Sequence, residues 1–154
     1  MQLSILWLFI SLLLPTGDEL TPEQIATDYF FENIFEQDLS DYRVIEFNAL
    51  TEQNGYFGIV VNCNSIRTLF KELEEVTPGT SVTVDASKCP VRVKKIRDNS
   101  NRIKIEVKSR KDLSERTFVY ITASRRLRFV NHYILTLSQE GTEVLDVCRV
   151  SEII

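Results

Sequence analysis

The chain has 154 residues, 44% hydrophobic and 26% charged, with few Gly and Pro. That is an ordinary globular balance, long enough for one domain to bury a core without metals or bridges. The single histidine and the lack of any C-x-x-C spacing exclude the usual zinc sites, and no cofactor motif is present. The net charge of -4 hides an asymmetry: Asp18–Val76 holds 13 Asp/Glu against 3 Lys/Arg, whereas Lys88–Arg128 holds 14 Lys/Arg against 4 Asp/Glu.

Leu3–Leu14 is an apolar run of 12 residues broken only by Ser4 and Ser11. It is too short to span a membrane, which takes about 20 residues, and has the length of a signal-peptide core. No Lys or Arg precedes it and no A-x-A site follows, so Thr16 or Gly17 is the cleavage point that the chain offers. Residues 1–17 therefore read as a signal peptide and 18–154 as a single domain. The product would be secreted or periplasmic, with no membrane span in the mature chain. It would also lack tryptophan, because Trp7 is the only one.

Thr21-Pro22-Glu23-Gln24 is a helix start, with a capping hydroxyl, Pro at the first turn and acids at the positive end of the dipole. Ile25, Ala26, Tyr29, Phe30, Ile34 and Phe35 recur at steps of three and four, predicting a helix over Pro22–Gln37 that lies on a sheet. Phe31 falls outside the tightest stripe. A hairpin is predicted next, Tyr42–Leu50 with Tyr56–Cys63, around Asn54-Gly55. Ile66, Leu69, Phe70 and Leu73 mark a second helix ended by Thr77-Pro78-Gly79. A short strand, Thr80–Asp85, and a loop, Ala86–Pro90, lead into the sheet proper.

Five strands are predicted there: Val91–Arg97, Arg102–Ser109, Arg116–Ala123, Leu127–Leu137 and Glu143–Val150. In Arg102–Ser109 the alternation is clean, with Ile103, Ile105 and Val107 on one face and Arg102, Lys104, Glu106 and Lys108 on the other. Ile103, Ile105, Val107, Val119, Ile121, Phe129, Tyr133 and Leu135 are the predicted core. The fold class is α+β: two helices packed on a mostly antiparallel, curved sheet with a C-terminal meander.

Three groups of residues are candidates for function. His132 titrates near neutrality and could act as acid or base, with Tyr120 or Asp146 reaching it across strands. These three are pocket candidates, although a half-buried structural His and a carboxylate paired on the strand flank are the commoner fates. Arg92, Lys94, Arg102, Lys104 and Lys108 form a basic set suited to an anionic ligand. Arg92–Lys111 contains no aromatic residue, which argues against nucleic acid. Cys63 and Cys89 both lie at segment ends and could bridge. Cys148, inside a strand pattern, reads as a small buried apolar residue.

The order of elements, helix Pro22–Gln37 and then a long meander to the C-terminus, resembles the cystatin-like and NTF2-like α+β domains found in many exported bacterial proteins. The resemblance covers Thr21–Ile154 as an order of elements, without a motif. It implies a curved sheet wrapping the helix, with a pocket between them in some members. The chain lacks the cystatin-type Gln-x-Val-x-Gly loop. Three functions follow as expectations. The first is a non-catalytic exported module that uses its acidic and basic faces to bind a protein partner or itself. The second is a small-molecule binding or isomerase/lyase-type domain. The third is an envelope anion-binding protein. Separate charged faces would make association salt-sensitive, and reversing Lys104 and Lys108 to Glu would abolish it with the fold intact.

Overall fold

The computed structural model describes residues 20–49, 58–74, 83–93, 102–125 and 129–153. The predicted signal peptide, the Asn54-Gly55 turn, the Thr77-Pro78-Gly79 stop and Lys94 lie outside them.

The helix begins where its signals place it. The Gln24 amide donates to Thr21 Oγ1 at 3.2 Å, and Pro22 opens α1 (Pro22–Tyr29). The chain then continues through a π-turn, Phe30–Ile34, into α2 (Phe35–Leu39). The turn is wide because the Phe35 amide donates to the Phe30 carbonyl, five residues back. That extra residue gathers Phe30, Phe31, Ile34 and Phe35 on one side, each at most 1% exposed. Phe31, off the stripe at ordinary helical spacing, is therefore core.

The sheet has six strands in the order β2-β1-β3-β4-β5-β6. They are β1 (Val44–Ala49), β2 (Arg92–Val93), β3 (Arg102–Leu113), β4 (Arg116–Arg125), β5 (Phe129–Leu137) and β6 (Val144–Ile153). β1 runs parallel to β2 and β3, and the pairs from β3 to β6 are antiparallel. The α+β class with its C-terminal meander is as expected. On the helix face, Ile45, Ile103, Ile105, Val107, Val119, Ile121, Tyr133 and Leu135 pack against the aromatic side of the helix. Among the described residues, no helix is long and apolar enough to cross a membrane.

The predicted hairpin does not form. β1 pairs with β3 instead, and Gly58–Asn62, inside the expected strand Tyr56–Cys63, is a 3-10 helix. The β-branched residues suggested a strand, but Ile59, Cys63 and Ile66 are spaced by four and three, a helical interval. With a second 3-10 turn, Arg67–Leu69, and α3 (Phe70–Glu74), this segment makes a second layer. Its Ile59, Val60, Cys63, Ile66 and Leu73 bury against Phe118, Tyr120 and Ile134 on the sheet's other face. Both faces of the central strands are thus covered. Thr83–Asp85, in the expected strand Thr80–Asp85, is irregular.

Cys63 of this layer is joined to Cys148 of β6, with the Cα atoms 5.8 Å apart. This corrects the expected Cys63–Cys89 bridge. Cys148 shares its strand face with the second layer, whereas Cys89 packs with the helix-face core and is a free thiol. The two were on opposite sides of the sheet.

A bulge in β3 changes which side each residue faces. Val107 pairs with Ile121 but Ser109 pairs with Tyr120, so Lys108 is an extra residue. Before it, the odd residues meet the helix. After it, Arg110 turns to the helix and meets Glu23, while Leu113 joins the second-layer core. Phe129, predicted as core, is 45% exposed. It lies opposite Ile153, the second pair beyond Tyr133–Arg149 on the same face, where α2 has already ended.

Candidate functional site

The end of α2 borders a polar cleft. Asp38, in its last turn, accepts a hydrogen bond from Arg149 Nη1 at 2.7 Å, across to β6. Arg149 pairs in register with Tyr133; the next pairs outward on this face are Asn131–Ser151 and Phe129–Ile153. The helix covers the first of these pairs and leaves the other two open. The result is a cleft of about 370 Å³ lined by Asp38, Phe129, Asn131, Tyr133, Arg149 and Ser151, and also by His132, a predicted pocket residue, and Val150 of the same two strands. That lies at the lower end of ligand-pocket volumes, ~300–1,000 Å³. Ser151 Oγ donates to Asn131 Oδ1 at 2.8 Å.

Tyr133 is 1% exposed and stacks edge-on against Phe30, with ring centroids 5.0 Å apart. Its hydroxyl is buried without a hydrogen-bond partner among the described residues. Burial, and then the neighbouring Asp38 carboxylate, push its pKa well above the usual phenol value. The phenol is therefore protonated at any ordinary pH. Asp38 and Asn131 are its polar neighbours, but neither completes a well-formed hydrogen bond with it, and a buried donor left so costs free energy.

The predicted pocket residues are partly brought together, on the opposite sheet face. Tyr120 Oη and His132 Nδ1 are 2.6 Å apart, with the rings stacked. His132 Nε2 faces Glu152 Oε2 at 3.2 Å. The carboxylate places the imidazole proton on Nε2, so Tyr120 donates to Nδ1. Burial lowers the His132 pKa below its usual value, and Glu152 opposes this in part. Asp146 is elsewhere, four residues along β6 from the partner of His132, and accepts from Ser65 Oγ at 2.7 Å. It ties the second layer to the sheet.

The basic residues on β3 are paired within the fold. Glu106 stands between Lys104 and Lys108, at 2.6 and 3.1 Å, and Arg102 meets Glu46 at 2.8 Å. Burial would raise the Glu106 pKa, but the two ammonium groups hold it below the usual carboxylate value. The stripe is thus an alternation of signs. Arg92 is exposed on β2. No group of His, Cys, Asp and Glu suited to a metal ion occurs among the described residues. Burial raises the Cys89 pKa, which leaves its thiol protonated and weakly nucleophilic.

Sequence reasoning named His132 of this cleft but not Asp38, Tyr133 or Arg149. Tyr133 and Arg149 follow the β5–β6 alternation, but the register that sets them side by side depends on a bulge between Thr136 and Leu137. The reach of Asp38 depends on the π-turn. Neither irregularity has a sequence signal. The chain matches no protein-family model, no curated protein and no solved structure.

Proposed function

We propose that this protein is a small exported binding module: a disulfide-tied sheet that presents the cleft between α2 and the β5–β6 edge to a ligand. One observation carries the reading, the Asp38–Arg149 ion pair beside a buried Tyr133 hydroxyl that lacks a hydrogen bond. These groups orient and hold a ligand. They do not shuttle protons near neutral pH, because a guanidinium and a phenol of raised pKa keep theirs.

Two further observations support it over the alternatives. The space between helix and sheet, where an NTF2-like pocket would open, is filled by Phe30, Phe31, Phe35 and Tyr133. The basic stripe on β3 is balanced by Glu46 and Glu106, which weakens it as an anion-binding face. Export is supported by the Cys63–Cys148 bridge, of a kind that persists in oxidising compartments, together with the Leu3–Leu14 run.

Both parts are testable. Native material should lack residues 1–17 by mass, with peptides containing Cys63 and Cys148 joined. Retention of Met1–Leu14 would remove the export reading. In amide NMR spectra of the oxidised chain, a panel of small acids, amines, amides and dipeptides should perturb Asn131, Arg149 and Ser151. Shifts confined to Arg102, Lys104 and Lys108 would move the binding surface to the stripe.

A further inference from the structure

From the cleft's chemistry we infer that its ligand is a small amphiphilic monocarboxylate, with the carboxylate held by Arg149 and Tyr133 and the apolar part laid on Phe129 and Ile153. This rests on the binding-module reading and adds the ligand class. The donors converge from three strand positions. Arg149 gives one N–H to Asp38 and has four more in its planar fork. The Tyr133 hydroxyl is buried beside Asp38 and Asn131 without a well-formed hydrogen bond to either. The Asn131 oxygen is occupied by Ser151, which leaves its amide nitrogen as the group presented to the cleft. Donors of this kind call for acceptor oxygens, and a carboxylate satisfies two of them at once.

The apolar part of the ligand follows from the same register. Phe129 and Ile153 are directly paired on the face that carries Asn131 and Ser151, and are 45% and 82% exposed. They form an apolar step at the next pair on this face beyond Asn131–Ser151. A ligand whose carboxylate sits at Arg149 lays the next few carbons on this step.

Asp38 sets the charge. It neutralises Arg149 and repels any incoming anion. A carboxylate, planar and with two oxygens, matches the part of the guanidinium fork that Asp38 leaves open. The volume, about 370 Å³, limits the ligand to a small molecule or to the last residue or two of a peptide. A peptide C-terminus with an apolar last residue and a free aliphatic acid share this chemistry.

The test uses the oxidised full-length chain and amide NMR, with hexanoate, hexanamide, hexylamine, acetyl-leucine and acetyl-leucine amide as probes. Hexanoate or acetyl-leucine should shift Asn131, Tyr133, Arg149 and Ser151 saturably, at least about tenfold more tightly than the matching amide. The stronger of the two acids assigns the source, free acid or peptide end. Tyr133→Phe should weaken the acid by about tenfold, a loss expected for a hydrogen bond to a charged group. Asp38→Asn should tighten it, because repulsion is removed while the donors stay. Equal binding of acid and amide, preference for hexylamine, or weaker acid binding by Asp38→Asn would overturn the inference and leave the binding-module reading in place. No shift at the cleft with any probe would overturn both.

Discussion

His132 is the only histidine, so its ring protons give a single titration curve. Burial lowers its folded pKa below the usual 6.5. The unfolded chain then binds the proton more readily. The stability this confers is complete above pH ~6.5 and is lost as pH falls through the folded pKa. The NMR midpoint should lie below 6.5. Glu152→Gln should lower it further, since that carboxylate is the group that favours the charged ring. An unchanged midpoint in the variant would mean that Glu152 does not act on the ring in solution. Gly141 poses a steric question instead. It turns the β5–β6 connection at φ +70, and a Cβ there would stand 2.5 Å from Pro22 Cγ. Gly141→Ala combines a left-handed backbone with that clash and should cost about 1–3 kcal/mol, read from denaturant unfolding. The loss should shrink if Pro22 is also replaced by Ala, because the clash is then relieved.

At the scale of elements, regular periodicity was legible and irregularity was not. The β3–β6 meander follows from alternation, and the core residues Ile103, Ile105, Val107, Val119, Ile121, Tyr133 and Leu135 are buried as their pattern requires. The hairpin failed because Ile59, Val60 and Cys63 satisfy a strand propensity and a helical spacing together; covering Phe118 and Ile134 decides for the latter. The π-turn and the two bulges each add one residue, and each redirects a functional or core side chain: Phe31 inward, Arg110 toward Glu23, Arg149 toward Tyr133. No one-residue insertion of this kind leaves a mark on local composition. The cleft depends on such insertions, so the sequence pointed to His132, which is among its lining residues, and to Asp146, which is not, and passed over Asp38, Tyr133 and Arg149. Two variants test this account. Phe31→Ala removes a side chain that is 1% exposed and should cost about 3–5 kcal/mol, as for other core aromatics. A surface-like loss of a few tenths would return Phe31 to the helix's outer side. Breaking the Cys63–Cys148 bridge frees a loop spanning 85 residues, and the Cys63→Ala, Cys148→Ala pair should lose about 2–4 kcal/mol. Sheet circular dichroism should persist at low denaturant, because the bridge fastens the second layer and β5 still pairs along the whole of β6.

For the whole molecule, part of the charge asymmetry of the sequence is met within the fold. Among the described residues, acids of the first half pair with bases of the second. Glu23 meets Arg110, Glu32 meets Lys88, Glu46 meets Arg102, and Asp38 meets Arg149 of the last strand. These contacts join elements far apart in the chain, so they favour one docking of helix on sheet and oppose others, although an exposed pair is worth only about 0–1 kcal/mol. The consequence differs from that of two separate charged faces. Lys104 and Lys108 flank Glu106, and Lys104 stands opposite Glu46 in the β1–β3 register. Replacing both lysines by Glu would put three carboxylates in succession on one face of β3 with a fourth across from them. That variant should lose about 1–2 kcal/mol at low salt, the sum of lost pairs and new like-charge contacts. Part of the loss should return at about 1 M salt, where the Debye length is ~3 Å. Its acid sensitivity should also change. Glu106 in the parent contributes stability above its usual pKa of 4.5 that is lost as pH falls through its lowered folded value. In the variant, protonating the cluster relieves repulsion, so lowering the pH toward 4.5 should narrow the stability gap between the two proteins. Thermal unfolding at two salt concentrations and two pH values measures both effects. A variant as stable as the parent at low salt would show that these ion pairs contribute nothing to the fold, and the basic stripe would again be available to a partner.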